Sequence, residues 1–119
     1  NSRILIDTTN QVLTTGAWYY GSFTYSGNSV ADGVKIYFNG GSVPLNVLYN
    51  TLSSTIVGSE PLCFGASGTV SSKRWFLDGT IDEERISSCT RSADWILTEY
   101  LNQEDPSAFF NVGFEEPGP

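Results

Sequence analysis

The stretch Val34-Lys35-Ile36-Tyr37-Phe38 alternates apolar with polar or amphipathic side chains and then meets Asn39-Gly40-Gly41. A period of two places alternate residues on opposite faces of an extended strand. Asn-Gly accepts the positive φ values that a type I′ turn demands, and residues 43–49 are strand-like again, so residues 34–49 predict a β-hairpin. The same grammar recurs along the chain, where β-branched and aromatic runs are cut at short intervals by Gly, Asn and Ser. Further strands are expected at residues 3–7, 18–25, 61–66, 75–77, 79–88 and 109–114. The run at 18–25 ends on the turn residues Ser26-Gly27-Asn28.

One segment departs from this pattern. Within residues 91–102, Trp95, Ile96 and Tyr100, with Leu97 beside them, recur at helical spacing. Ser92 suits an N-cap, Asp94 the positive end of the helix dipole, and Pro106 stands beyond the end. A single helix on a β body follows. The 119 residues suit one domain, expected over residues 1–116, with 117–119 as a linker or tail. Trp18, Tyr37, Phe64 and Trp75 lie in strand-like runs with apolar neighbours and are expected in the core.

Charge limits the partners. Thirteen acidic against six basic side chains give a net charge of −7, which repels phosphate backbones and anionic membrane surfaces. Nucleic acid is therefore not an expected partner. No apolar run approaches the roughly 18 residues of a membrane span, so this segment is not expected to insert into a bilayer. The chain has no methionine and opens on Asn1, which reads as a processed product, an excised domain or a partial chain. Cys63 and Cys89 fit one disulfide in an oxidising compartment and fit two buried thiols equally well.

Histidine is absent, which removes the usual base at neutral pH and the commonest transition-metal ligand. Two cysteines without histidine cannot complete a four-ligand zinc site within one chain. Gly65-Ala66-Ser67-Gly68 lacks the lysine and helix of a phosphate loop and reads as a plain loop. Asp82-Glu83-Glu84 is the only cluster that invites a glycosidase reading. In a strand, Glu83 and Arg85 share a face, so a structural ion pair is preferred over catalysis. No catalytic residue is expected.

Phe76-Leu77-Asp78-Gly79-Thr80-Ile81-Asp82-Glu83-Glu84-Arg85-Ile86, followed by Thr90-Arg91-Ser92-Ala93-Asp94-Trp95-Ile96, resembles the carboxy-terminal signature of laminin G-like, concanavalin A-like jelly-roll domains. Gly16-Ala17-Trp18, Phe23-Thr24-Tyr25-Ser26-Gly27, Val34-Lys35-Ile36-Tyr37-Phe38-Asn39-Gly40 and Pro61-Leu62-Cys63-Phe64-Gly65-Ala66 resemble the preceding motifs in order. The ending, from Thr98-Glu99-Tyr100 to Gly113-Phe114-Glu115-Glu116, is similar too. Glu84 departs from the family, which usually carries an apolar residue there.

The resemblance implies an all-β fold, an antiparallel jelly-roll β-sandwich with one short helix near the C-terminus. It also implies a non-catalytic extracellular or cell-surface module for binding or adhesion, with a carbohydrate or surface protein as partner. A structural Ca²⁺ often accompanies the family, and Asp82 matches an aspartate that can ligate calcium in the wider superfamily; a solvent-facing carboxylate is the competing reading. Such domains commonly have more strands before the Gly-x-Trp motif. The expectation is that the N-terminal strands are lacking and that other copies or a complementary chain supply them, as in a structural subunit of an extracellular filament or surface assembly. A glycoside hydrolase fragment is the third alternative.

Overall fold

The computed structural model describes residues 2–57, 61–69, 71–109, 113 and 115. The expected hairpin is its centre. Strand β1 is Ile4–Thr8, β2 is Gly21–Tyr25, and a single 3-10 turn at Ala31–Gly33 leads into β3, Val34–Phe38. Asn39 and Gly40 both take positive φ, 50° and 76°, the backbone of a type I′ turn. Asn39 also clamps the turn from the side, because its N–H donates to the Tyr20 carbonyl (2.9 Å) and its carboxamide oxygen accepts from Tyr20 N–H (3.0 Å).

The strand after the turn divides between two sheets. Residues Gly41–Ser42 form β4 against β3, and Val43 N–H still reaches the Ile36 carbonyl at 3.0 Å. Pro44 has no N–H to continue that ladder. The chain then turns away, and Leu45–Asn50 becomes β5, which pairs antiparallel with β1. A bulge at Leu48 interrupts this pairing, since Leu5 faces Tyr49 whereas Ile6 faces Val47. The sheets are therefore β1-β5, β2-β3-β4 and a small hairpin of β6 (Ser67–Thr69) with β7 (Ser72–Arg74).

Helix α1 covers Ala93–Glu104, and Pro106–Phe109 adds one further turn, α2. The Ser92 hydroxyl accepts from Trp95 N–H at 3.2 Å, the cap that the sequence predicts. Asp105 restarts the chain at α2 by accepting from the N–H groups of Ser107 and Ala108. The Ser107 hydroxyl is the main cause that holds the Asp105 carboxyl below its ordinary pKa. On α1 it is Ile96, only 1% exposed, that is fully buried, and Leu97 and Tyr100 close over the hairpin turn. A Cβ at Gly40 would meet Leu97 Cδ1 at 2.7 Å, so the turn needs glycine for space as well as for φ. Among the described residues no helix is long and apolar enough to cross a membrane.

The chain is thus built mostly from antiparallel strands with a short helix near its end, and its sheets do not close on one another. Its accessible surface is 9585 Å² for 13.0 kDa, about half again the roughly 6,300 Å² that folded monomers of this mass expose.

Several strand expectations fail for local reasons. Residues 61–66 carry no ladder: Gly65 turns at positive φ and pairing begins only at β6. The expected strand at 75–77 is displaced to β7, which Trp75 ends at φ 49°. Residues 79–88 form no ladder among the described residues, and Glu83, at φ 58°, breaks their extended path. Of the expected strand at 109–114, Phe109 ends α2, and residues 110–112 and 114 lie outside the described residues. The core expectation holds for Tyr37, at 2% exposed. It fails for Trp18, Phe64 and Trp75, which are 70%, 50% and 79% exposed because no described layer lies over them.

Candidate functional site

The β2-β3 ladder sets two faces against each other. Direct partners across it are Thr24 with Lys35 and Ser22 with Tyr37 on one side, and Phe23 with Ile36 and Gly21 with Phe38 on the other. The second side is apolar. With Ile6 of β1 it lines an open hollow of about 300 Å³, and Phe23 is 69% exposed there.

The first side is polar and carries the start of α1. Between them lies a cleft of about 380 Å³, within the roughly 300–1,000 Å³ range of small-ligand sites. Thr24 and Tyr37 form its floor, at 8% and 2% exposed, and neither hydroxyl has a hydrogen-bond partner among the described residues. Both hydroxyl oxygens still reach the open space of the cleft, where a ligand can meet them.

One wall is the connection from β2 to β3. It is folded by its own polar groups: Ser26 N–H donates to the Gly33 carbonyl (2.9 Å), and Val30 N–H donates to the Asn28 carboxamide oxygen (3.3 Å). Asn50 holds the 3-10 turn from β5, accepting from Ala31 N–H at 2.9 Å. A Cβ at Gly33 would collide with Asn28 Oδ1 and Ser26 Oγ, so the absence of a side chain there lets both groups converge on the cleft. Asp32 brings a carboxylate to the same wall.

The opposite wall is the approach to α1. The Thr90 hydroxyl donates to the Tyr25 carbonyl at 3.1 Å and fastens this segment to the end of β2. Arg91 is held by two contacts, with Nε donating to Ser87 Oγ at 3.1 Å and the guanidinium 4.4 Å above the Trp95 ring. Lys35 faces it from β3.

A second polar cluster braces the helix. The Tyr20 hydroxyl donates to Glu99 Oε2 at 3.0 Å, and Arg85 Nη1 stands 3.7 Å from Glu99 Oε1. Partial burial, then the bond to Glu99, raises the Tyr20 pKa above its ordinary 10.0. The Tyr100 hydroxyl donates to Glu104, which raises its pKa as well. Arg85 Nη2 also lies 2.5 Å from Glu83 Oε2, on a side chain that is about half exposed.

The other residues singled out in the sequence do not join the cleft. Cys63 and Cys89 are free thiols, the first half-buried with Lys73 Nζ 2.7 Å from its sulfur, the second exposed. Asp82 is exposed, and its Oδ1 accepts from the N–H of Glu83 at 2.9 Å. Among the described residues no three His, Cys, Asp or Glu side chains come together, whereas Ca²⁺ takes about six to eight oxygens.

The cleft itself was not legible as a site. Ser26 and Asn28 read as turn residues, Lys35 and Tyr37 as one face of a hairpin, and Arg91 as part of a longer motif. The available signal was that Lys35 and Tyr37 share a face, but the opposite wall lies some 55 positions downstream.

Among curated protein sequences, none matches the chain. The crystal structure of an S-layer domain-containing protein from Clostridium thermocellum is similar, with a TM-score of 0.56 and 30% sequence identity. The match covers 76% of this chain and 42% of that one, so the chain spans less than half of its neighbour's length. The laminin G family model described as concanavalin A-like lectin/glucanases superfamily matches residues 2–97, which is most of the sequence and includes both walls of the cleft. The chain belongs to this laminin G-like family of the concanavalin A-like lectin/glucanase superfamily.

Proposed function

We propose that this chain is a non-catalytic, extracellular or cell-surface module that binds carbohydrate in the cleft between β2-β3 and the start of α1. The observation that carries the reading is the cleft's lining. The Thr24 and Tyr37 hydroxyls, which no described residue engages, the Asn28 carboxamide and the Asp32 carboxylate offer donors and acceptors around one cleft. A sugar presents hydroxyls that both donate and accept, and it satisfies such a surface better than an apolar ligand would. The surface location is supported by the S-layer domain-containing neighbour. The absence of histidine, and the pairing of Glu83 with Arg85, favour binding over hydrolysis.

The test is a glycan array probed with the chain and with Tyr37→Phe, which removes one hydroxyl and keeps the ring. Binding to a defined set of glycans that weakens in the variant is the expected outcome. Glycan binding indifferent to Tyr37, or none, overturns the reading.

A second reading is favoured by the open apolar face. On that face Phe23 is largely exposed and borders an apolar hollow with Ile36 and Phe38. We infer that β-strands from another chain close over Phe23 and Ile36, as in a subunit of an extracellular assembly. The two readings use opposite faces of one sheet and are compatible.

A further inference from the structure

Charge distinguishes this cleft from the rest of the molecule. Two of the chain's six basic side chains, Lys35 and Arg91, line it against a single carboxylate, Asp32, although the chain as a whole carries −7. Neither cation has a carboxylate partner within ion-pair distance among the described residues, where both ion pairs belong to Arg85. Five of the six basic side chains make no ion pair among the described residues, and two of those five, Lys35 and Arg91, face the same space. Arg91 is also fixed: the Trp95 ring supports one face of its guanidinium, and Nε is occupied by Ser87, which leaves the remaining N–H groups for a ligand.

We propose that the ligand is an anionic saccharide, a sugar whose carboxylate or sulfate sits between Lys35 and Arg91 while its hydroxyls meet Thr24, Tyr37 and Asp32. The inference rests on the carbohydrate-binding reading above and adds the charge of the ligand to it. Asp32 belongs in the site as an acceptor for sugar hydroxyls, and it stands against binding of a bare anion. The two cations attract the anionic group at close range, while the chain's overall charge of −7 opposes its approach from afar, an opposition that added salt screens.

Calorimetry with trigalacturonic acid, its fully methyl-esterified form and a sulfated disaccharide tests this. The acid should bind roughly tenfold or more tightly than the ester, since hydrogen bonds to charged groups contribute more than neutral ones. Lys35→Gln and Arg91→Gln should each lose a similar factor, with the melting temperature of Lys35→Gln unchanged because its side chain is exposed. Lys73→Gln makes the same charge change outside the cleft and should bind as the parent does. Tight binding of the sulfated disaccharide, lost in the same two variants, also supports the proposal and shows that sulfate serves as well as carboxylate. Equal affinity for acid and ester, or loss of binding in Lys73→Gln as large as in Lys35→Gln, overturns the anionic assignment. If the glycan array is positive with neutral sugars only, the anionic assignment fails and the carbohydrate-binding reading stands; if no glycan binds, both fail.

Discussion

The two faces of the β2-β3 ladder are made from neighbouring residues of the same strands, yet they end in opposite environments. On one, Tyr37 is buried beside the start of α1 and two hydroxyls look into a polar cleft; on the other, Phe23, Ile36 and Phe38 border an open apolar hollow. Alternation alone decides which side chain goes where, but it does not decide what covers each face. A face is stabilised only by what packs on it, so identical strand chemistry gives core on one side and exposed surface on the other.

The largest difference should come from truncating one anchor on each side of this division. Ile96→Ala removes the fully buried side chain of α1 and should cost about 2–5 kcal/mol, whereas Phe23→Ala on the open face should stay within about 0.5 kcal/mol in the monomer. Urea denaturation of both variants measures the contrast. Equal costs at dilutions where the chain is monomeric would mean that the chain covers its own apolar face, against this account.

The cap of α1 gives an intermediate effect. Ser92→Ala should cost about 1 kcal/mol, and the start of the helix forms one wall of the cleft, so ligand affinity should fall with it. Amide exchange at Trp95 would report the lost cap locally.

A smaller effect is expected at alkaline pH. Because burial and Glu99 raise the Tyr20 pKa above its unfolded 10.0, the associated stability is complete below pH 10 and is lost as pH rises through the folded value. Glu99→Gln should bring the Tyr20 phenol back toward 10 and weaken that alkaline dependence, as followed by phenolate absorbance and thermal melts. The smallest change is expected at Asp82. Among the described residues no three carboxylates or thiols are placed to hold a metal together, so adding Ca²⁺ or substituting Asp82→Asn should leave the melting temperature where it was.

What could be read in advance was local. The Asn39-Gly40 turn, the alternation of β3, and the Ser92 cap are decided by residues a few positions apart, and all three occur as expected. The strands expected at 75–77 and 79–88 have strand-like composition, but a strand exists only as half of a ladder, and residues such as Trp75 and Glu83 turn the backbone where propensity shows nothing. Trp18 and Trp75 look like core for the same reason: apolar character announces a need for cover without naming the cover. The cleft escaped because it joins Asn28 and Lys35 to Arg91, and nothing in either segment refers to the other.

The division between a covered and an open face is tested most directly by sedimentation velocity of the isolated chain at micromolar concentration, beside Phe23→Asp. The account predicts that the parent chain self-associates and that Phe23→Asp, with a charge placed in the open hollow, sediments as a monomer while retaining ligand binding in the cleft on the opposite face. A parent chain that is a monodisperse monomer and melts cooperatively would contradict it.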